Sequence, residues 1–148
     1  ARGARRQRAR HGGRSAAPCR AGRAVSVLID TSVWVHHFRS GSDALVELIL
    51  RDDGLTHPLV IGELACGTPP APRTRTLADI ERLRAARQAT WPEVRSLIER
   101  ERLYGLGCGL VDLALLTSAL MTPGARLWTL DQRLDALARR FGCAYAPA

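Results

Sequence analysis

Two short strand-like runs, residues 25–29 (VSVLI) and 126–129 (RLWT), each lead within two residues to an aspartate, Asp30 and Asp131. β-branched or bulky apolar residues without strict alternation suit a strand buried on both faces, as in a parallel sheet covered by helices. Between the two runs the pattern is mainly helical. Thr31 or Ser32 can cap a helix through Phe38, and Ser42 or Asp43 can start a second one ended by Asp52, Asp53 and Gly54. Pro58 suits the first turn of a helix running through Glu63 to Cys66, with Gly67 at its end. An amphipathic helix is predicted over about 76–88, another from Pro92 toward Leu106, and an almost wholly apolar one over 110–121. Residues 55–57 are a weak strand candidate and 143–145 a last edge strand. Strands alternating with helices imply an α/β sandwich of three layers, a mainly parallel central sheet flanked by helices.

The chain has 148 residues, 46% of them hydrophobic, which fits one domain with one core. Its net charge of +8 comes from the first 24 residues, which hold eight of the 22 basic residues and no acid. From Val25 onward 14 basic residues face 14 acidic ones, so the predicted domain, 25–148, is formally neutral. Residues 1–24, rich in Arg and poor in apolar side chains, are expected to form a disordered tail, with an RNA-binding arm as the sharper alternative. The four cysteines include no C-x-x-C pair, which argues against zinc; Cys66, Cys108 and Cys143 are expected to be buried free thiols. No apolar run is long enough for a membrane span, and a soluble, cytoplasmic protein is expected.

Four acids stand out. Asp30 and Asp131 follow the two strands, where open parallel sheets place their sites. Asp112 lies in the first turn of the apolar helix, and Glu63 sits on a helix otherwise built of Leu59, Val60, Ile61, Leu64 and Ala65. Each acid alone reads well as a cap, a dipole partner or half of an ion pair. Together they point elsewhere, because clustered carboxylates repel one another unless a cation lies between them. Mg²⁺ and Mn²⁺ prefer oxygen donors and keep some waters, so an acid-only set suits them. Such ions activate water and stabilise a leaving oxygen, which makes phosphodiester hydrolysis the natural reaction class.

The same residues carry a resemblance to a known family. V-L-I-D-T-S-V-W at 27–34, G-E-L-A-C-G at 62–67, V-D-L-A-L-L-T-S-A-L at 111–120 and L-W-T-L-D at 127–131 appear in order, with the acids 33, 49 and 19 residues apart. This pattern resembles the PIN-domain family, and within it the VapC-like ribonuclease toxins of type II toxin-antitoxin systems. The resemblance implies a PIN-like fold and a metal-dependent endoribonuclease leaving a 5′-phosphate, with Asp30, Glu63, Asp112 and Asp131 both catalytic and metal-binding. Mg²⁺ is the implied cofactor, with Mn²⁺ as the other possibility. Thr31 or Ser32, and Thr129, match the family's supporting hydroxyls, though helix capping explains them about equally well. The implied partners are a VapB-like antitoxin, an RNA substrate and a second copy in a homodimer, with no membrane. Two alternatives stay open on the residues alone: a PIN-like protein that binds RNA or a partner without cutting, and a different metal-dependent phosphohydrolase.

Other residues are discounted. His36, His37 and His57 have no convincing Ser or Cys partner for nucleophilic catalysis. Trp34 and Trp128 read as core, leaving Trp91 as the one candidate for stacking on RNA. Arg73, Arg75, Arg82, Arg84 and Arg87 read as a solvated helix face before a phosphate guide.

Overall fold

The computed structural model describes residues 25–148, so the expected tail over 1–24 lies outside the described residues. Four strands and seven helices follow in the order β1 (Ser26–Ile29), α1 (Thr31–Ser40), α2 (Asp43–Leu50), β2 (Gly54–Thr56), α3 (Pro58–Cys66), α4 (Arg73–Glu81), β3 (Arg84–Ala85), α5 (Trp91–Glu101), α6 (Leu110–Met121), β4 (Ala125–Trp128) and α7 (Gln132–Arg140). The strands form one sheet in the order β3-β2-β1-β4, and every pairing is parallel. Val27, Leu28 and Ile29 are all fully buried. Successive strand residues face opposite sides, so both faces of β1 must be covered, which is the three-layer arrangement that its composition implies.

The order of the strands creates the place for a site. The chain leaves β1 and builds outward to β2 and β3 on one side, then returns to add β4 on the other. That reversal opens a crevice beyond the carboxyl ends of β1 and β4. The two strands run in register from Ser26 against Ala125 to Ile29 against Trp128, and the Asp30 amide continues the ladder to the Trp128 carbonyl at 2.9 Å. Asp30 and the segment 129–131 therefore emerge side by side.

α6 supplies much of the core. Seven consecutive residues from Leu113 to Ala119 are buried, as expected of a helix with almost no polar face. Truncating Leu115 or Leu116, both fully buried, to Ala would cost about 2–5 kcal/mol. Trp34 and Trp128 are core residues and Trp91 is exposed, as anticipated.

Several expectations are corrected. The helix expected over 76–88 is α4, which starts at Arg73 and stops at Glu81; Arg84 and Ala85 pair with Leu55 and Thr56 as the edge strand β3. α5 ends at Glu101, well before Leu106, because Arg102 turns into the left-handed region at φ 55° and sends Leu103 into the core. Residues 143–145 contribute a single parallel bridge, Leu127 to Ala144, instead of a full strand. Cys66 is exposed at the end of α3, whereas Cys143 is buried and Cys108 partly so. No described helix is long and apolar enough to cross a membrane.

Candidate functional site

Asp30 is the centre of the arrangement. It is only 5% exposed, and its carboxylate accepts hydrogen bonds from the hydroxyls of Ser32 (2.6 Å) and Thr129 (2.8 Å) and from the Ser32 amide (3.4 Å), all at Oδ2. The two hydroxyls are committed as donors. The Ser32 hydroxyl oxygen accepts from the Leu130 amide at 3.0 Å and that of Thr129 from the Asp131 amide at 3.1 Å, so each one's single proton is directed at Asp30. Their 3.4 Å approach to each other is then a contact between two donors to one acceptor. The ends of β1 and β4 are thereby cross-linked through the Asp30 carboxylate.

The N-caps of α1 and α7 are Asp30 and Asp131, not the neighbouring hydroxyls. Asp30 itself is the N-cap of α1, Ser32 and Thr129 serve its carboxylate, and Thr31 donates to Glu63 Oε1 at 2.8 Å. Asp131 caps α7, accepting the Leu134 amide at Oδ1 (2.9 Å). Asp112 reaches back from the first turn of α6 to the Gly109 amide with Oδ2 (3.1 Å). The structural roles considered for Asp30, Asp112 and Asp131 are thus real, whereas Glu63 is held by the Thr31 hydroxyl instead of an ion pair; each acid uses one carboxylate oxygen. Oδ1 of Asp30, Oε2 of Glu63, Oδ1 of Asp112 and Oδ2 of Asp131 accept no hydrogen bond among the described residues.

The four acids feel one another. The Glu63 carboxyl is raised above its ordinary pKa, first by loss of surrounding water and then by the charges of Asp30 and Asp112, with the Thr31 bond pulling the other way. Asp112 is raised by the same desolvation and by Asp30 and Asp131, against the Gly109 amide. Cys108, next to them, has its thiol pushed up by burial and by Asp112 and Asp131, with Arg133 opposing. No ion pair among the described residues includes Asp30, Glu63, Asp112 or Asp131. A set of mutually repelling carboxylates, oriented by neutral donors and lacking a cationic side chain, has the donor chemistry of a site for a hard divalent ion. Among the described residues no three acid, His or Cys donors are gathered closely enough to enclose one ion, so the constellation is open rather than a closed cage.

One contributor escaped the sequence. His57, discounted there as filler, is buried and is the N-cap of α3: Nδ1 accepts the Leu59 amide (3.0 Å) and Nε2 lies 3.0 Å from the Ser118 hydroxyl of α6. With Nδ1 accepting, the proton of the neutral ring belongs on Nε2. Burial lowers its pKa, consistent with a neutral ring. His57 therefore joins the helix that carries Glu63 to the helix that carries Asp112. Its only sequence cue was its place immediately before Pro58.

Comparison with known proteins places this geometry in context. The family described as the PIN domain matches residues 27–140, a span that contains all four acids. Ribonuclease VapC32 of Mycobacterium tuberculosis, found in the CDC 1551/Oshkosh and H37Rv strains, is 44% identical over 120 residues, covering 81% of this chain and 96% of the relative.

Proposed function

This chain belongs to the PIN-domain family, and from that premise we propose that it is a divalent-metal-dependent endoribonuclease, the toxin of a type II toxin-antitoxin pair. The observation that carries the reading is the set of four carboxylates, each holding one oxygen in a bond to its own chain and leaving the other uncommitted. The relative's name, a ribonuclease, supports RNA as the substrate. Family membership supports a VapB-like antitoxin as the partner; a homodimer and Mg²⁺ in preference to Mn²⁺ are finer parts of the same proposal.

When bound, a divalent cation supplies Lewis acidity, making the attacking water easier to deprotonate and neutralising charge at the phosphate. The chain's residues have separate tasks. Asp30, Glu63, Asp112 and Asp131 are the proposed ligands. Ser32 and Thr129 fix the plane of the Asp30 carboxylate, and Thr31 fixes Glu63, so their free oxygens are pre-positioned. Desolvation and neighbouring carboxylates raise Glu63 and Asp112 above their ordinary pKa values in the cation-free protein, a repulsion that a bound cation would relieve.

The test is incubation with total RNA with and without Mg²⁺, beside an Asp30→Ala variant. Cleavage that requires both the ion and Asp30, with fragments carrying 5′-phosphates, is expected. Cleavage that persists in EDTA or in the variant would overturn the mechanism, and RNA left intact by the wild-type protein with Mg²⁺ would overturn the activity.

A further inference from the structure

A cleft of about 500 Å³ opens directly beside Glu63, between α1, α3 and the loop that follows α3. Phe38 and Arg39 line it from α1, Glu63 from α3, and Thr68, Pro69 and Pro70 from the loop. We propose that this cleft is the subsite for one unpaired nucleotide of the RNA, adjoining the scissile phosphate, with Arg39 gripping a backbone phosphate and Phe38 and the two prolines forming the wall for a base. The proposal rests on the ribonuclease reading above and adds to it where the substrate lies.

Four observations support it. The volume falls within the range of about 300–1,000 Å³ in which small-molecule sites are found. The cleft meets the acid set at Glu63, which borders it while hydrogen-bonded to Thr31. Arg39 enters no ion pair among the described residues, so its guanidinium can offer paired donors to a phosphate. That matters in a domain whose 14 basic and 14 acidic residues cancel, where attraction for RNA must be local.

The wall is also held in shape before any ligand arrives. Arg73 donates to the carbonyls of Gly67 (3.0 Å) and Ala65, and the Thr76 hydroxyl donates to the Pro70 carbonyl at 2.8 Å. A preformed wall reduces the ordering cost of binding. An unpaired nucleotide is specified because bases within an A-form duplex are stacked and cannot be laid against a side wall.

The experiment compares wild-type protein with Arg39→Ala, Arg39→Lys and Thr68→Trp; the last places an indole in the cleft from an exposed loop position. KM and kcat are measured on a single-stranded oligoribonucleotide. Affinity for the same RNA is followed across salt concentrations in an inactive Asp112→Asn background. Arg39→Ala should raise KM about tenfold with kcat within about twofold, and lower the salt slope by about one. Arg39→Lys should recover part of the loss, and Thr68→Trp should raise KM while the melting temperature holds. Variants with wild-type KM and salt slope overturn the subsite, as does a Thr68→Trp protein altered only in its assembly state by gel filtration. Wild-type protein that neither binds nor cuts RNA overturns the functional reading itself, so the two failures are distinct.

Discussion

Replacing Thr129 by valine isolates what the hydroxyls around Asp30 contribute. The change keeps the shape of a side chain that is 6% exposed but deletes the 2.8 Å bond to Asp30 and the acceptor for the Asp131 amide. A hydrogen bond to a charged group contributes about 1.5–3 kcal/mol and a neutral one about 0.5–1.5 kcal/mol. Valine's extra apolar contact offsets part of this, so a net loss of about 2–3 kcal/mol is expected. In a domain of this size that corresponds to a fall in melting temperature of roughly 8–12 °C. Urea denaturation in EDTA measures the stability, and single-turnover cleavage with Mg²⁺ the function. Activity should fall by about 10–100-fold, as for other residues that orient a metal ligand. Thr129→Ser, which retains the hydroxyl, should stay within about 1 kcal/mol of wild type. The reasoning is refuted if the serine and valine variants lose the same stability, since packing rather than donation to Asp30 would then be the cause.

Other outcomes follow from the same geometry. Because the Glu63 and Asp112 carboxyls lie above their ordinary pKa values, Mg²⁺-dependent cleavage should be lost, as pH falls, above the range where unperturbed carboxylates titrate; a pH profile of cleavage checks this. Their raised values also mean that, without a cation, both destabilise the fold above their folded pKa and cease to do so as pH drops through it. Asp112→Asn should therefore match or exceed the wild-type melting temperature in EDTA at neutral pH, while abolishing cleavage. His57 has the opposite sign: its lowered pKa contributes stability that is present above 6.5, its ordinary value, and is lost as pH falls through the folded value. His57→Asn, which keeps an acceptor for the Leu59 amide but loses the ring's reach to Ser118, should melt lower at neutral pH and show a flatter acid dependence by calorimetry.

How much could be read without coordinates depended on how strongly each segment's burial was written into its residues. β1 and α6 were legible because an apolar residue at nearly every position leaves little solvent face, and α6 was found with its observed boundaries; β4 was legible from its buried Leu127 and Trp128 despite the exposed Arg126. The strand β3 was not, because Arg84 and Ala85 are exposed edge residues of low strand propensity that continue the helical spacing of Leu77, Ile80 and Leu83. The end of α5 was missed for a related reason: Arg102 at φ 55° carries no composition signal, and only the burial of Leu103 requires the turn. Cys66 was expected inside because its neighbours are apolar, yet the face of α3 that it occupies stays open.

The candidate site was legible as residue types but not as bonds. Carboxylates following strands could be recognised from spacing, and the structure brings Asp112 within electrostatic reach of the other three. Which hydroxyl serves which acid depends on the register of β1 against β4 and could not be read from the chain. His57 was hidden because its partner Ser118 lies 61 residues away, on a helix whose burial gave no reason to single out one serine.

The central claim, that this open set of acids holds a divalent cation, is tested most directly by anomalous diffraction from crystals soaked in Mn²⁺. The account predicts a peak about 2.0–2.3 Å from carboxylate oxygens of at least two of Asp30, Glu63, Asp112 and Asp131, absent in Asp30→Ala crystals. An anomalous map with no peak at these acids, or with its strongest peak unchanged in the variant, would contradict it.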